Sequence, residues 1–132
     1  NVISEIMRPN TDANVARWMQ AMPLSETGMA TPTIAELLYG LAVMPKGMRR
    51  KTLTDSIGRF ISRLENFPFD SQAARHYAVI AAERRTAGRP ISGFDCQIAA
   101  IAKCHGAAVA TRDTSGFDLC GIKVVNPWLT TL

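Results

Sequence analysis

The stretch Ser92 to Thr111, SGFDCQIAAIAKCHGAAVAT, decides the fold class. Ser92 occupies an N-cap position, and Phe94, Ile98, Ile101 and Ala102 recur behind it at helical spacing. Lys103 and His105 put positive charge in the last turn, and Gly106 follows as a helix-ending residue. The period then changes. Ala107 to Thr111 is a short apolar run closed by Arg112 and Asp113, which predicts a buried strand.

Working outward, Ile122 to Val125 predicts another strand before Asn126-Pro127. Upstream, Asp70 caps a helix whose Tyr77, Ile80 and Ala81 face inward and which Gly88 ends. Leu53, Ile57, Phe60, Ile61 and Leu64 predict an amphipathic helix over Lys51 to Glu65, followed by a very short strand at Phe67 to Phe69. Gly28 to Thr31 reads as a strand, and Thr33 opens a helix through Val43. Ala13 to Met22 and Val2 to Met7 read as short helices, the latter ended by Pro9. Short apolar strands alternating with longer helices predict an α/β fold with a parallel sheet covered on both faces. Ligands of such sheets bind at the carboxyl ends of the strands.

The chain has 132 residues, the size of one domain, and can bury a core without disulfide or metal staples. At 47% apolar and 20% charged residues it is neither disordered nor fibrous. No apolar run is long enough for a membrane span, and no signal peptide opens the sequence, so a soluble cytoplasmic domain is expected. Fifteen Lys and Arg against 11 Asp and Glu give a net charge of +4. That balance suits an anionic partner such as nucleic acid, and equally an ordinary soluble surface. Cys96 and Cys104 fall on one helix, about 12 Å apart at ~1.5 Å per residue, too far to bridge. With Cys120 they match no zinc spacing and read as reduced packing thiols.

Three carboxylates, Glu36, Asp95 and Asp113, fall at the strand ends. Each has a structural explanation. Thr33 and Glu36 spell a capping box, Ser92 and Asp95 stand in the same relation with a shorter acid, and Asp113 fits an Asx turn. Their common position at one sheet edge favours a functional reading. Clustered carboxylates raise one another's pKa or recruit a cation, and oxygen ligands without a His or Cys cluster select a hard ion such as Mg2+. Thr111 or Thr114 can orient a ligand or phosphate beside them, or serve only the strand and turn. Basic residues gather as Lys46, Arg49, Arg50 and Lys51, then Arg59 and Arg63, then Arg84, Arg85 and Arg89. They read either as phosphate contacts, with Arg49, Arg50, Lys51 and Arg112 the foremost candidates, or as solvated surface.

Five segments now align with a known pattern: Asn1-Val2-Ile3-Ser4-Glu5, Thr33-Ile34-Ala35-Glu36-Leu37 with Gly40, Asp95-Cys96-Gln97-Ile98-Ala99-Ala100, Ala110-Thr111-Arg112-Asp113, and Asn126-Pro127-Trp128. In this order, over essentially the whole chain, they resemble PIN-domain ribonucleases of the VapC type, the toxins of type II toxin–antitoxin pairs, and especially the FitB-like branch. The resemblance implies one PIN domain over residues 1–132, an α/β/α sandwich with a central parallel sheet. It also implies a Mg2+- or Mn2+-dependent endoribonuclease whose catalytic and metal-binding acids include Glu36, Asp95 and Asp113. Asn1, Thr111 and Thr114 would support them. A VapB- or FitA-like antitoxin, a homodimer, and DNA binding only through the antitoxin are implied as well; the stripe of the Lys51–Glu65 helix is one candidate dimer surface.

In that family an apolar strand ends in Asp-Thr-Asn, whose Asn matches Asn1. The expectation is therefore a domain lacking its natural N-terminal strand and a fourth acid. Glu5, a turn into the first helix, would be a neighbouring acid rather than its replacement. The absent acid makes a non-cutting module that binds antitoxin or RNA the rival reading. A nucleotide-binding enzyme is a third, against which stands the lack of any G-x-x-x-x-G-K-[ST] or G-x-G-x-x-G motif.

Overall fold

The helix at Gly93–His105 (α6) forms as its sequence predicts: the Ser92 hydroxyl accepts the Asp95 N–H at 3.2 Å, and Gly106 takes the left-handed conformation, φ 58°, at the other end. In the computed structural model, which describes residues 1–131, α6 is the hub. Its Cys96, Ala99, Ala100 and Ile101 pack with Ala73 and Ile80 of the helix Ser71–Thr86 (α5), and with Phe117 and Cys120. Alanines at this crossing let the two helices approach closely. Asp70 caps α5 by accepting the Ala73 N–H at 2.9 Å.

Strand β1 (Gly28–Ala30) pairs in parallel with β2 (Glu65–Phe67), and β3 (Val109–Ala110) pairs in parallel with β4 (Val124–Val125). These are two separate two-stranded sheets. The expected buried strand Ala107–Thr111 is thus reduced to two residues, with Ala107 and Ala108 exposed, and the strand expected at Phe67–Phe69 lies earlier. The cause is one-sided pairing. The N–H groups of Val109 and Thr111 reach the carbonyls of Lys123 and Val125, both at 2.9 Å, whereas the intervening Ala110 N–H faces the opposite edge. Beyond that edge lies a cavity of ≈ 720 Å³, which Gly28, Met29 and Ala30 of β1 border as well.

Two short helices, α1 (Val2–Ile6) and α2 (Ala13–Ala21), carry a second cluster of Val2 and Val15 against Trp128. Asp12 caps α2 through the N–H groups of Asn14 and Val15. Helix α3 (Thr31–Ala42) starts two residues before the expected Thr33, with Pro32 in its first turn and no side-chain cap. Helix α4 (Met48–Arg63) likewise starts before Lys51. Its stripe is core: Ile57 and Leu64 are buried and Leu53, Phe60 and Ile61 half-buried, so it offers no free dimer face. Among the described residues no helix is long and apolar enough to cross a membrane.

Candidate metal and phosphate site

Glu36 projects from the second turn of α3. Because Thr33 lies inside that helix, the capping box expected between them does not form, and the exposed Glu36 carboxylate is not committed to a helix end. Asp95 sits in the first turn of α6, half-buried. Its N–H is capped by Ser92, and its Oδ2 accepts from the Ser92 hydroxyl at 2.8 Å. Glu36 and Asp95 line the same cavity, together with Asn1, Thr33 and Thr111.

Asn1 is also tied to the end of β3. Its Nδ2 donates to Thr111 Oγ1 at 3.0 Å, and its Oδ1 accepts the Arg112 N–H at 3.2 Å. The buried Thr111 hydroxyl further accepts the Asp113 N–H at 3.1 Å. Thr114 contributes only backbone bonds, its carbonyl accepting the Phe117 N–H at 3.1 Å.

Asp113 does not reach the cavity lined by the other two acids. Its Oδ1 accepts from the Ser115 hydroxyl at 3.0 Å and the Gly116 N–H at 3.1 Å, the turn chemistry open to it from the sequence. Among the described residues no three Asp, Glu, His or Cys side chains converge closely enough to hold an ion. Glu5 is equally occupied, buried beneath the Asp12 N–H at 2.9 Å and paired with Arg8 at 3.2 Å.

The basic residues separate into two kinds. Arg49, Arg50 and Lys51 lie in the first turn of α4, where Lys46, Arg50 and Lys51 border a small open depression. Arg112 stacks over Trp128 at 4.5 Å. Arg84, expected as surface charge, is instead 5% exposed and points inward. The signal for this was present: residues 73, 77, 80 and 84 share one helical face.

The chain resembles characterised proteins along nearly all its length. The PIN domain profile matches residues 1–121. The chain is 40% identical over 131 residues to the VapC ribonuclease Y4jK of Sinorhizobium fredii, covering 97% of this chain and 94% of the relative. It is 37% identical over 131 residues to the toxin FitB of Neisseria gonorrhoeae, with the same coverage. The crystal structure of FitAcB from Neisseria gonorrhoeae superposes with a TM-score of 0.90 at 36% identity, covering 98% of this chain and 96% of that one. The structure of FitAB bound to an IR36 DNA fragment gives 0.91 at 34% identity, covering 100% and 94%.

Proposed function

The chain belongs to the PIN-domain family, and from that premise we propose that it is the ribonuclease toxin of a VapBC- or FitAB-like toxin–antitoxin pair. The observation that carries this reading is that Glu36 and Asp95 line one cavity, beside the hydrogen bond between Asn1 and Thr111. The donor set is oxygen only, so Mg2+ or Mn2+ fits it better than a softer metal. Glu36 and Asp95 would hold the ion, with Asp113 completing the set after its carboxylate turns from Gly116. Bound there, the ion would supply charge stabilisation at a scissile phosphate and a water of lowered pKa. The protein's own contribution is positional. Ser92 fixes Asp95, the Asn1–Thr111 bond fixes the end of β3, and Arg49, Arg50, Lys51 and Arg112 offer positive charge to an RNA backbone.

Mn2+-dependent cleavage of single-stranded RNA by the chain, lost in D95N, tests the reading; undiminished cleavage by D95N refutes it. The separation of Asp113 from the other acids favours a second reading, a module that binds antitoxin or RNA without cutting. RNA binding with no cleavage at any Mn2+ concentration would select it. The antitoxin, or a second copy of the chain, would meet exposed apolar side chains at the end of α3, just after it and at the start of α4: Leu38, Tyr39, Val43 and Met48.

The cavity between the sheets supports one further part of this reading. The cavity measures ≈ 720 Å³. Edges of β1 and β3 border it, and Asn1 stands at its Thr111 end. It suits an extended apolar segment of about five residues running parallel to β3 into Asn1. A chain extended before Asn1 by an apolar strand ending Asp-Thr should melt at least about 10 °C higher and bind Mn2+ more tightly than residues 1–132. Unchanged melting and affinity would exclude a strand there.

A further inference from the structure

Arg84 is a buried guanidinium without a carboxylate partner among the described residues. Burying such a charge is costly unless its donors are satisfied, and here three carbonyls do so. Nε donates to Arg89 O at 2.6 Å, while Nη1 donates to Gly116 O at 3.0 Å and Asp118 O at 2.6 Å. The last two carbonyls belong to the turn that follows Asp113, a single 3-10 turn at Ser115–Phe117. The other end of this turn is held by Asp113 itself, through the Gly116 N–H and the Ser115 hydroxyl. One short turn is thus pinned between a carboxylate at its N-terminal side and a buried guanidinium at its C-terminal side. Gly116 carries both attachments, its N–H to Asp113 and its C=O to Arg84.

We propose that Arg84 is a positioning residue for Asp113: from α5, by gripping the carbonyls of Gly116 and Asp118, it holds the turn to which the Asp113 carboxylate is bonded, short of the acidic site at Glu36 and Asp95. This rests on the reading of Asp113 as part of that site. Arg84 itself touches no substrate. A lysine keeps the charge but, with one compact ammonium on a shorter reach, cannot span the three carbonyls as the guanidinium fork does.

The test is a double-mutant cycle of R84K and D113N in the full chain, read by RNA cleavage at saturating and limiting Mn2+, with thermal melting alongside. R84K should lower cleavage about tenfold or more in the parent, and by less than about twofold in the D113N background, while lowering the melting temperature equally in both. An equal loss of cleavage in both backgrounds, or parental cleavage by R84K, overturns the proposal. If the parent cuts no RNA, the nuclease reading fails by itself, and hydrogen exchange then decides the role of Arg84. The Gly116 amide should lose protection about tenfold in R84K while the α6 amides of Ala99 and Ala100 keep theirs. Unchanged Gly116 protection, or loss spread over α6, overturns it.

Discussion

A methyl group added at Gly116 would stand 2.7 Å from Asp113 Oδ2 and 3.2 Å from its Cγ, closer than carbon and oxygen tolerate. The backbone poses no obstacle, because Gly116 is not among the positive-φ glycines. The softer partner must yield, and that is the exposed Asp113 carboxylate, held only by the Gly116 N–H at 3.1 Å and the Ser115 hydroxyl at 3.0 Å. Hydrogen bonds to charged groups contribute about 1.5–3 kcal/mol each when shielded, and much less where water replaces them. Restricting the unfolded chain by Gly→Ala returns about 0.4–1 kcal/mol. The net for G116A is therefore a destabilisation of about 1 kcal/mol, some 3–5 °C in melting temperature for a domain of this size. Activity should respond far more, because a shift of about 1 Å in a catalytic group can cost on the order of a hundredfold. Thermal melting beside kcat/KM for Mn2+-dependent cleavage of a fluorogenic RNA separates the two effects. Parental kcat/KM in a folded G116A protein would refute the assignment of Asp113.

D70A removes the cap of α5 and should cost about 1 kcal/mol, seen as a melting temperature lower by roughly 3–5 °C with cleavage at 25 °C unchanged. Burial pushes the Cys96 thiol up to about 11 from 9.0, nearby Cys120 adding to the rise and Arg84 opposing it. The folded chain thus keeps a proton that the unfolded chain releases. This contribution to stability is whole below pH 9 and falls by about 2–3 kcal/mol as pH rises toward 11. Urea unfolding at pH 8 and pH 10.5 should show the loss, and C96A should flatten it. In R50A/K51A, RNA affinity should weaken for every sequence alike, and the slope of log affinity against log salt should decrease by about 1–2. An unchanged slope would return these residues to plain surface.

Much of the fold can be read in the residues where a local device and the helical period agree. Ser92 and Gly106 bracket α6, and Asp70 opens α5, because each side chain or αL glycine satisfies orphan backbone groups whatever lies around it. The misreadings arise where two local signals compete. At α3 the Thr33–Glu36 spacing mimics a capping box, but Pro32, with its φ already set for a first helical turn, starts the helix earlier. Strand lengths are not local at all. Ala107 to Thr111 is apolar enough for a full strand, yet only Val109 and Ala110 pair, since pairing needs a neighbour that no single segment specifies. Of the candidate site, Glu36, Asp95, Asp113, Asn1 and Thr111 could be singled out as residue types in order. Their spacing in three dimensions was not: Asp113 spends its carboxylate on Ser115 and Gly116 rather than on the cavity of Glu36 and Asp95. Arg84 was hidden among basic neighbours although its helical phase with Ile80 marks an inward face.

Calorimetric titration of Mn2+ into the RNA-free chain tests the shared acidic pocket most directly. Binding should weaken about tenfold or more in E36Q and again in D95N, with the double variant little worse than the weaker single one, since both acids serve one cation. Equal Mn2+ affinity in the parent and in E36Q/D95N would show that these carboxylates hold no ion.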